Sequence, residues 1–463
     1  MEKFDAIIIG TGVGGAAVGA LLAHSGRKVL IVDKNPIVGG RCTSYEYKGF
    51  LLDLGVHLFG VGDKGSLGEV LRMTGMPDAI DWVTIRSATQ QVGGEIKKYS
   101  RKDMIRLLPE EEQNNLTNLF ARVHSITDNE INQLWYVPVE QWMNDFTRHP
   151  LAHAFIGSIV GQYFCVPSKV ASAAEFIRCF REVLVARSSA YPKGGCIAIP
   201  RAYLSVLAKH GGEVRLNAAV QNIIIERGSA VGVCLKDGTV LRAPVIISNA
   251  DIKATVSDLV GRQHFPKDYV EKVSKRTYAD SCVMFKVGLR ERITDDQLRM
   301  YMPDDRSPLN KADLKAFSDV VPEKIAGMIV VPTNYDMSLG PDQDKQLICF
   351  GTGIRTVTDF ARQDWNAWRK TLRRSFFSAF PEAEGRVLWE KMDTPQLVDA
   401  YAGEDGNIIG VGQTVDQIHE RRPSVVSPLK GLYYASAEAG GHGIGTELAA
   451  GSAIELFAIL KAQ

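Results

Sequence analysis

The sequence predicts an α/β protein in which a Rossmann-like domain built on a parallel sheet is combined with a discontinuous α+β domain carrying a helical cap. Two observations predict the first part. A β-branched apolar run, Ala6 to Ile9, is followed at once by Gly10-x-Gly12-x-x-Gly15 and an apolar helix. A second strand, Lys28 to Val32, then ends on the acidic Asp33. A third observation, the length of 463 residues with 45% hydrophobic and 23% charged residues, allows two or three globular domains with a large core.

Each residue of the opening motif has a physical reason. An apolar strand without alternation suits a sheet covered on both faces. Gly10 permits the tight turn, Gly12 lets backbone N–H groups approach a pyrophosphate, and Gly15 brings the helix close to the sheet. A phosphate placed there meets the positive end of the helix dipole. Asp33 stands where a ribose hydroxyl would donate to it. The rival reading, a membrane span or signal sequence, rests on 18 uncharged residues from Ala6 to Ala23, but five of them are glycine and Glu2 and Asp5 precede them.

Composition narrows the function classes. A net charge of +1, with Lys and Arg spread along the chain, argues against nucleic acid as a partner. Seven cysteines form no C-x-x-C pair and are odd in number, which favours a reduced, cytoplasmic setting. No metal site is read from the nine histidines.

Beyond Asp33 come Gly39-Gly40-Arg41 and then Asp53-Leu-Gly55-Val-His57. A second glycine pair with an arginine brings more backbone and one guanidinium to the same phosphates, as a long dinucleotide requires and a nicotinamide cofactor does not. At these residues the chain resembles the flavoprotein group that includes the amine oxidases and, more closely, the phytoene desaturases and carotenoid isomerases. That resemblance implies an FAD-binding domain of the glutathione-reductase type and FAD as cofactor.

Residues 60–190 read as mostly helical, with amphipathic patches at Leu116 to Val123 and Leu151 to Tyr163 and with Trp135 and Trp142 on apolar faces. They are expected to cap a substrate cavity. At Tyr191-Pro-Lys-Gly194-Gly195 turn residues return, followed by a helix over Arg201 to Lys209, two strands between Gly211 and Ile225, a hairpin turning at Asp237-Gly238 and a buried strand from Val245 into Ser248-Asn249-Ala250. The same family re-enters its cofactor domain through such segments, which makes Val220 the residue expected to meet the adenine. Residues 255–400 alternate strand-like pieces (Ser281 to Leu289, Ala326 to Pro332, Leu347 to Thr352) with a helix over Thr356 to Phe380.

The chain closes with a strand, a glycine-rich turn Ala439-Gly-Gly441-His442-Gly443 and an apolar helix starting near Ile444. Its N-terminal N–H groups and positive dipole face whatever the turn contacts. The resemblance places the flavin pyrimidine edge there, although Ala437-Glu438 departs from the family's usual pattern. The expected division is therefore an FAD-binding domain of residues 1–60, 190–255 and 405–463, and a substrate domain of residues 61–189 and 256–404. The expected cofactor contacts are Gly10, Gly12, Gly14, Gly15, Asp33, Lys34, Gly40, Arg41, Val220, Glu438, Gly443, Ile444 and Gly445.

The resemblance implies hydride transfer from a C–H bond of a small hydrophobic substrate, polyene or carbonyl-bearing, with oxygen, a quinone or another carrier as electron acceptor. His57 and His442, both in flavin-facing motifs, are the catalytic candidates, since imidazole trades a proton near neutral pH. Three alternatives stay open: a redox-neutral isomerase or saturase using reduced FAD, an amine oxidase with Tyr401 and Tyr434 near the flavin, and a non-catalytic FAD-binding delivery protein. The sequence also leaves open peripheral membrane contact and assembly into a homo-oligomer.

Overall fold

The computed structural model describes residues 3–55, 58–100, 105–106, 108–303, 321–354 and 363–462. The uninterrupted apolar runs do what their composition requires. Ala6–Ile9 and Val29–Val32 are buried along their whole length in a five-stranded sheet. Its order is 432–434, 245–248, 6–9, 29–32, 213–215, and every pairing is parallel, with Ile7 beside both Ile246 and Leu30. The helix Val13–His24 has almost no polar face and packs against both Ala198–Lys209 and Gly445–Lys461. A three-stranded antiparallel layer, 220–226, 229–235 and 240–242, adds Ile223, Val233 and Leu241 to the same core. The expected α/β class with a parallel Rossmann sheet is what the structure has.

A second, mixed sheet has seven strands in the order 387–393, 281–289, 346–354, 327–330, 298–302, 88–92, 95–98. Only the pairing of Leu298–Met302 with Ala88–Val92 is parallel. The helix Trp365–Ala379, capped by the Asp364 carboxylate accepting from Ala367 N–H at 2.9 Å, lays Trp368, Leu372 and Phe376 on its apolar face. A separate helical core joins Leu116, Trp142, Phe155, Phe164 and Phe176.

Several expectations need adjusting. The 60–190 stretch holds the strands Trp82–Thr84, Ala88–Val92 and Glu95–Lys98 among its helices. Ala-Thr-Gln-Gln-Val carries no strong alternation, and its strand state comes from pairing with residues two hundred positions later. The helix expected from Arg201 begins at Ala198, because Pro200 in the first turn has no N–H that the helix needs. The start of the helix expected over Thr356 to Phe380 lies partly outside the described residues.

A charged joint connects the seven-stranded sheet to the hairpin of strands 44–47 and 50–53. Lys286 on the strand Ser281–Leu289 is fully buried, and its ammonium donates to the Asp53 carbonyl and to the Asp393 carboxylate. Asp53 in turn accepts from Ser44 Oγ–H at 2.6 Å, from Cys196 N–H at 2.8 Å and from the Tyr191 hydroxyl. A buried ammonium is tolerable only with such partners. Among the described residues no helix is long and apolar enough to cross a membrane.

Candidate functional site

The carboxyl ends of the parallel strands open on a cavity of about 1320 Å³. That exceeds the range of roughly 300–1,000 Å³ usual for a single small-molecule site, so there is room for more than one ligand. Gly10, at φ +103°, turns the chain where a side chain would be strained. A Cβ on Gly14 would stand 2.3 Å from the Ala435 carbonyl oxygen, so the helix and the last strand meet only because nothing intervenes. The helix that follows has no side-chain cap, which leaves its first N–H groups toward the cavity for a ligand.

Most expected cofactor residues come together here. Gly10, Gly12, Gly14, Asp33, Lys34, Gly40, Arg41, Val220, Gly443, Ile444 and Gly445 all line the one cavity. Gly15 does not: its place is against the Gly10 carbonyl, where an added Cβ would come within 2.2 Å, so its role is helix–strand packing. The Asp33 carboxylate is held in place by Thr11, whose N–H and Oγ–H donate to Oδ2 at 2.8 and 2.5 Å, and by Asn35 N–H at 2.9 Å on Oδ1. Arg41 is aimed by Asn407, whose fully buried Oδ1 accepts from Nη1 at 3.0 Å.

Other expected residues point elsewhere. Glu438 is buried and does not line the cavity; its Oε2 accepts from Ile252 N–H at 2.7 Å. His442 is exposed and off the cavity wall, with Nε2 3.8 Å from Glu182 Oε1. His57 lies outside the described residues. Tyr401 lines the cavity, whereas Tyr434 is in the core, its hydroxyl 3.1 Å from that of Tyr269, so the two form no aromatic pair there. His149 and His153, spaced as H-x-x-x-H, serve a helix start: His149 Nδ1 accepts from Leu151 N–H at 3.2 Å and His153 Nε2 contacts Thr147 O at 2.9 Å. Among the described residues no cluster of three or more His, Cys, Asp or Glu could hold a metal.

One part of the wall is mainly apolar: Phe59, Ile85, Ile159, Tyr163, Phe180, Val183, Leu298, Met300 and Met328. Among these apolar side chains stand the carboxyl groups of Glu182 and Glu447, while Asp251, Asp258, Asp399 and Asp405 line other parts of the cavity. Burial pushes Glu447 up to about 7, against the pull of the Ser66 and Leu67 N–H groups; Leu67 N–H reaches Oε2 at 3.4 Å. Burial also raises Glu182, although His442 beside it opposes the shift. Their sequence signal was only that of helical glutamates.

Comparison with known proteins fits this geometry. Residues 8–73 match the family described as "NAD(P)-binding Rossmann-like domain". The chain carries a dinucleotide-binding Rossmann domain. Around that domain the likeness extends over most of the chain. Prolycopene isomerase of Daucus carota is 24% identical over 459 residues, covering 88% of this chain and 72% of the relative. All-trans-retinol 13,14-reductase of Rattus norvegicus is 22% identical, covering 93% and 82%. The chain is distantly homologous to both. Its fold is shared with an oxidoreductase from Methanosarcina mazei (TM-score 0.76, 20% identity, 99% of this chain and 100% of that one). It is shared too with putrescine oxidase bound to putrescine (TM-score 0.73, 14% identity, 100% of each chain).

Proposed function

We propose that the protein is an FAD-dependent oxidoreductase acting on a C–H bond of a hydrophobic, polyene or carbonyl-bearing substrate, in its simplest form a desaturase. One observation carries this reading: three glycine turns distant in sequence, at 10–14, 39–40 and 443–445, line a single cavity that continues into an apolar wall. A nicotinamide dinucleotide needs the first turn; a longer dinucleotide with its ring against the apolar wall uses all three. Bound FAD would supply hydride-accepting chemistry. The protein's own part is to hold phosphates with Gly12, Gly14 and Arg41, to orient the ribose through Asp33, and to exclude water with Phe59, Phe180 and Leu298. Glu447, pushed by burial up to about 7, is better placed than the exposed His442 to hold a proton at the cavity wall.

A second reading, a redox-neutral isomerase or a saturase using reduced FAD, is favoured by the names of the relatives, an isomerase and a reductase. The test is anaerobic. Purified protein is mixed with panels of polyenes, cyclic ketones and amines while the oxidised flavin absorbance is followed. Bleaching by a polyene or ketone is the expected result, with oxygen or a quinone then restoring the colour. Conversion of a polyene only after dithionite reduction establishes the second reading instead. Bleaching by amines alone would overturn both.

A further inference from the structure

The last glycine turn is held by charges that the reaction itself does not use. Glu175, in the helix Ala173–Ala186, is completely buried and accepts from Gly443 N–H at 2.6 Å through Oε1. The Arg422 guanidinium, also buried, lies 3.8 Å from that oxygen and donates to the Gly441 carbonyl, to Gly440 O at 3.5 Å and to Gln413 Oε1. Glu175 Oε2 is buried with no hydrogen-bond partner among the described residues. One cation and one anion thus grip the turn at both its ends. Two buried charges are an expensive way to fix a loop that neutral hydrogen bonds could fix.

We propose that Glu175 and Arg422 are a buried pair of positioning residues that fixes the Gly440–Gly445 turn and sets the electron affinity of the flavin held against it. The inference rests on the FAD reading above. The turn lines the cavity through Gly443, Ile444 and Gly445, and Cys179, Phe180 and Glu182, on the same helix as Glu175, line the same cavity in the part that the proposed function gives to the substrate. A ring that must meet the substrate therefore lies next to this turn. Negative charge gathers on that ring when it is reduced. The N-terminus of the helix Gly445–Lys461 favours that charge, Glu175 opposes it, and Arg422 offsets Glu175. Glu182 and Glu447 at the cavity wall act on the ring as well and are unchanged in sequence when Glu175 or Arg422 is replaced, so each substitution removes one fixed charge in a medium of low polarizability.

The experiment is a spectroelectrochemical or dye-coupled titration of the flavin midpoint potential in the holoprotein. Glu175→Gln keeps an oxygen for Gly443 N–H and removes the charge; its potential is expected to move positive. Arg422→Gln leaves the carboxylate uncompensated and is expected to move the potential negative. Opposite shifts with flavin content unchanged are the expected signature. A potential unchanged in either variant, with flavin bound and fold intact by circular dichroism, would overturn the inference; if one variant does not fold, the other decides. A wild-type protein that holds no flavin would instead defeat the functional reading on which the inference rests, so the two failures are told apart.

Discussion

The first and last glycine turns line the same cavity, yet they are held by different means. Gly10–Gly15 is held by main chain and by a carboxylate that itself lines the cavity: Asp33 Oδ2 accepts from Thr11 N–H and Oγ–H at 2.8 and 2.5 Å, while Asn249, whose Oδ1 lies 2.4 Å from where a Cβ on Gly12 would fall, donates from Nδ2–H to Ala435 O at 2.6 Å. Gly440–Gly445 is fixed by full charges brought in by a cap helix and by the segment before the last strand. At the turn that receives a phosphate, the charged partner stands at the cavity wall where a ribose meets it, and the helix that follows keeps its first N–H groups uncapped by side chains. A turn that stands beside a changing charge gains from fixed charges behind it, because these act on the ring without touching it.

The contrast can be broken at its stronger end first. Arg422→Ala leaves Glu175 buried without its cation, and denaturant unfolding is expected to show a loss of about 3–5 kcal/mol. At the other turn the threat is steric. Gly14→Ala drives a methyl into the Ala435 carbonyl, and a loss of roughly 1–3 kcal/mol together with weakened flavin retention is expected in the same assay.

The third prediction concerns pH. Glu447, in the first turn of the last helix, is pushed by burial up to about 7 from an ordinary 4.5. Between those values the unfolded chain is deprotonated while the folded one keeps its proton, so folding stability falls as pH rises from about 4.5 through about 7. Glu447→Gln should remove that part of the decline, roughly 2–3 kcal/mol, in unfolding curves measured from pH 5 to 8. An identical pH slope in the variant would mean that the group titrates normally. The smallest effect is expected for Asn249→Ala, about 1 kcal/mol, since one neutral hydrogen bond is lost and Ala435 O is left to find another partner.

The same contrast explains what could be read from the sequence. The first turn is written in one short stretch, where Gly10, Gly12, Asp33 and Arg41 carry their meaning by order alone, and all four line the cavity. The clamp on the last turn joins Glu175 to Gly443, 268 positions apart, and no local pattern marks a helical glutamate as the partner of a distant amide. Asn407, which aims Arg41 from 366 positions away, escapes for the same reason. His442 and Glu438 show a further limit. Sequence order put them on the right turn, but a turn sends successive side chains in different directions, one to solvent and one into the core. The Ala88–Val92 strand was hidden because its partner strand, not its own residues, decides its state.

A flavoprotein of this design requires that the three glycine turns hold one FAD. The most direct test is to denature the purified protein and identify what is released by chromatography and absorbance. One FAD per chain, with the amount sharply reduced in Gly14→Ala, is the predicted result. Release of a nicotinamide dinucleotide, or failure of the protein to take up added FAD, would contradict it.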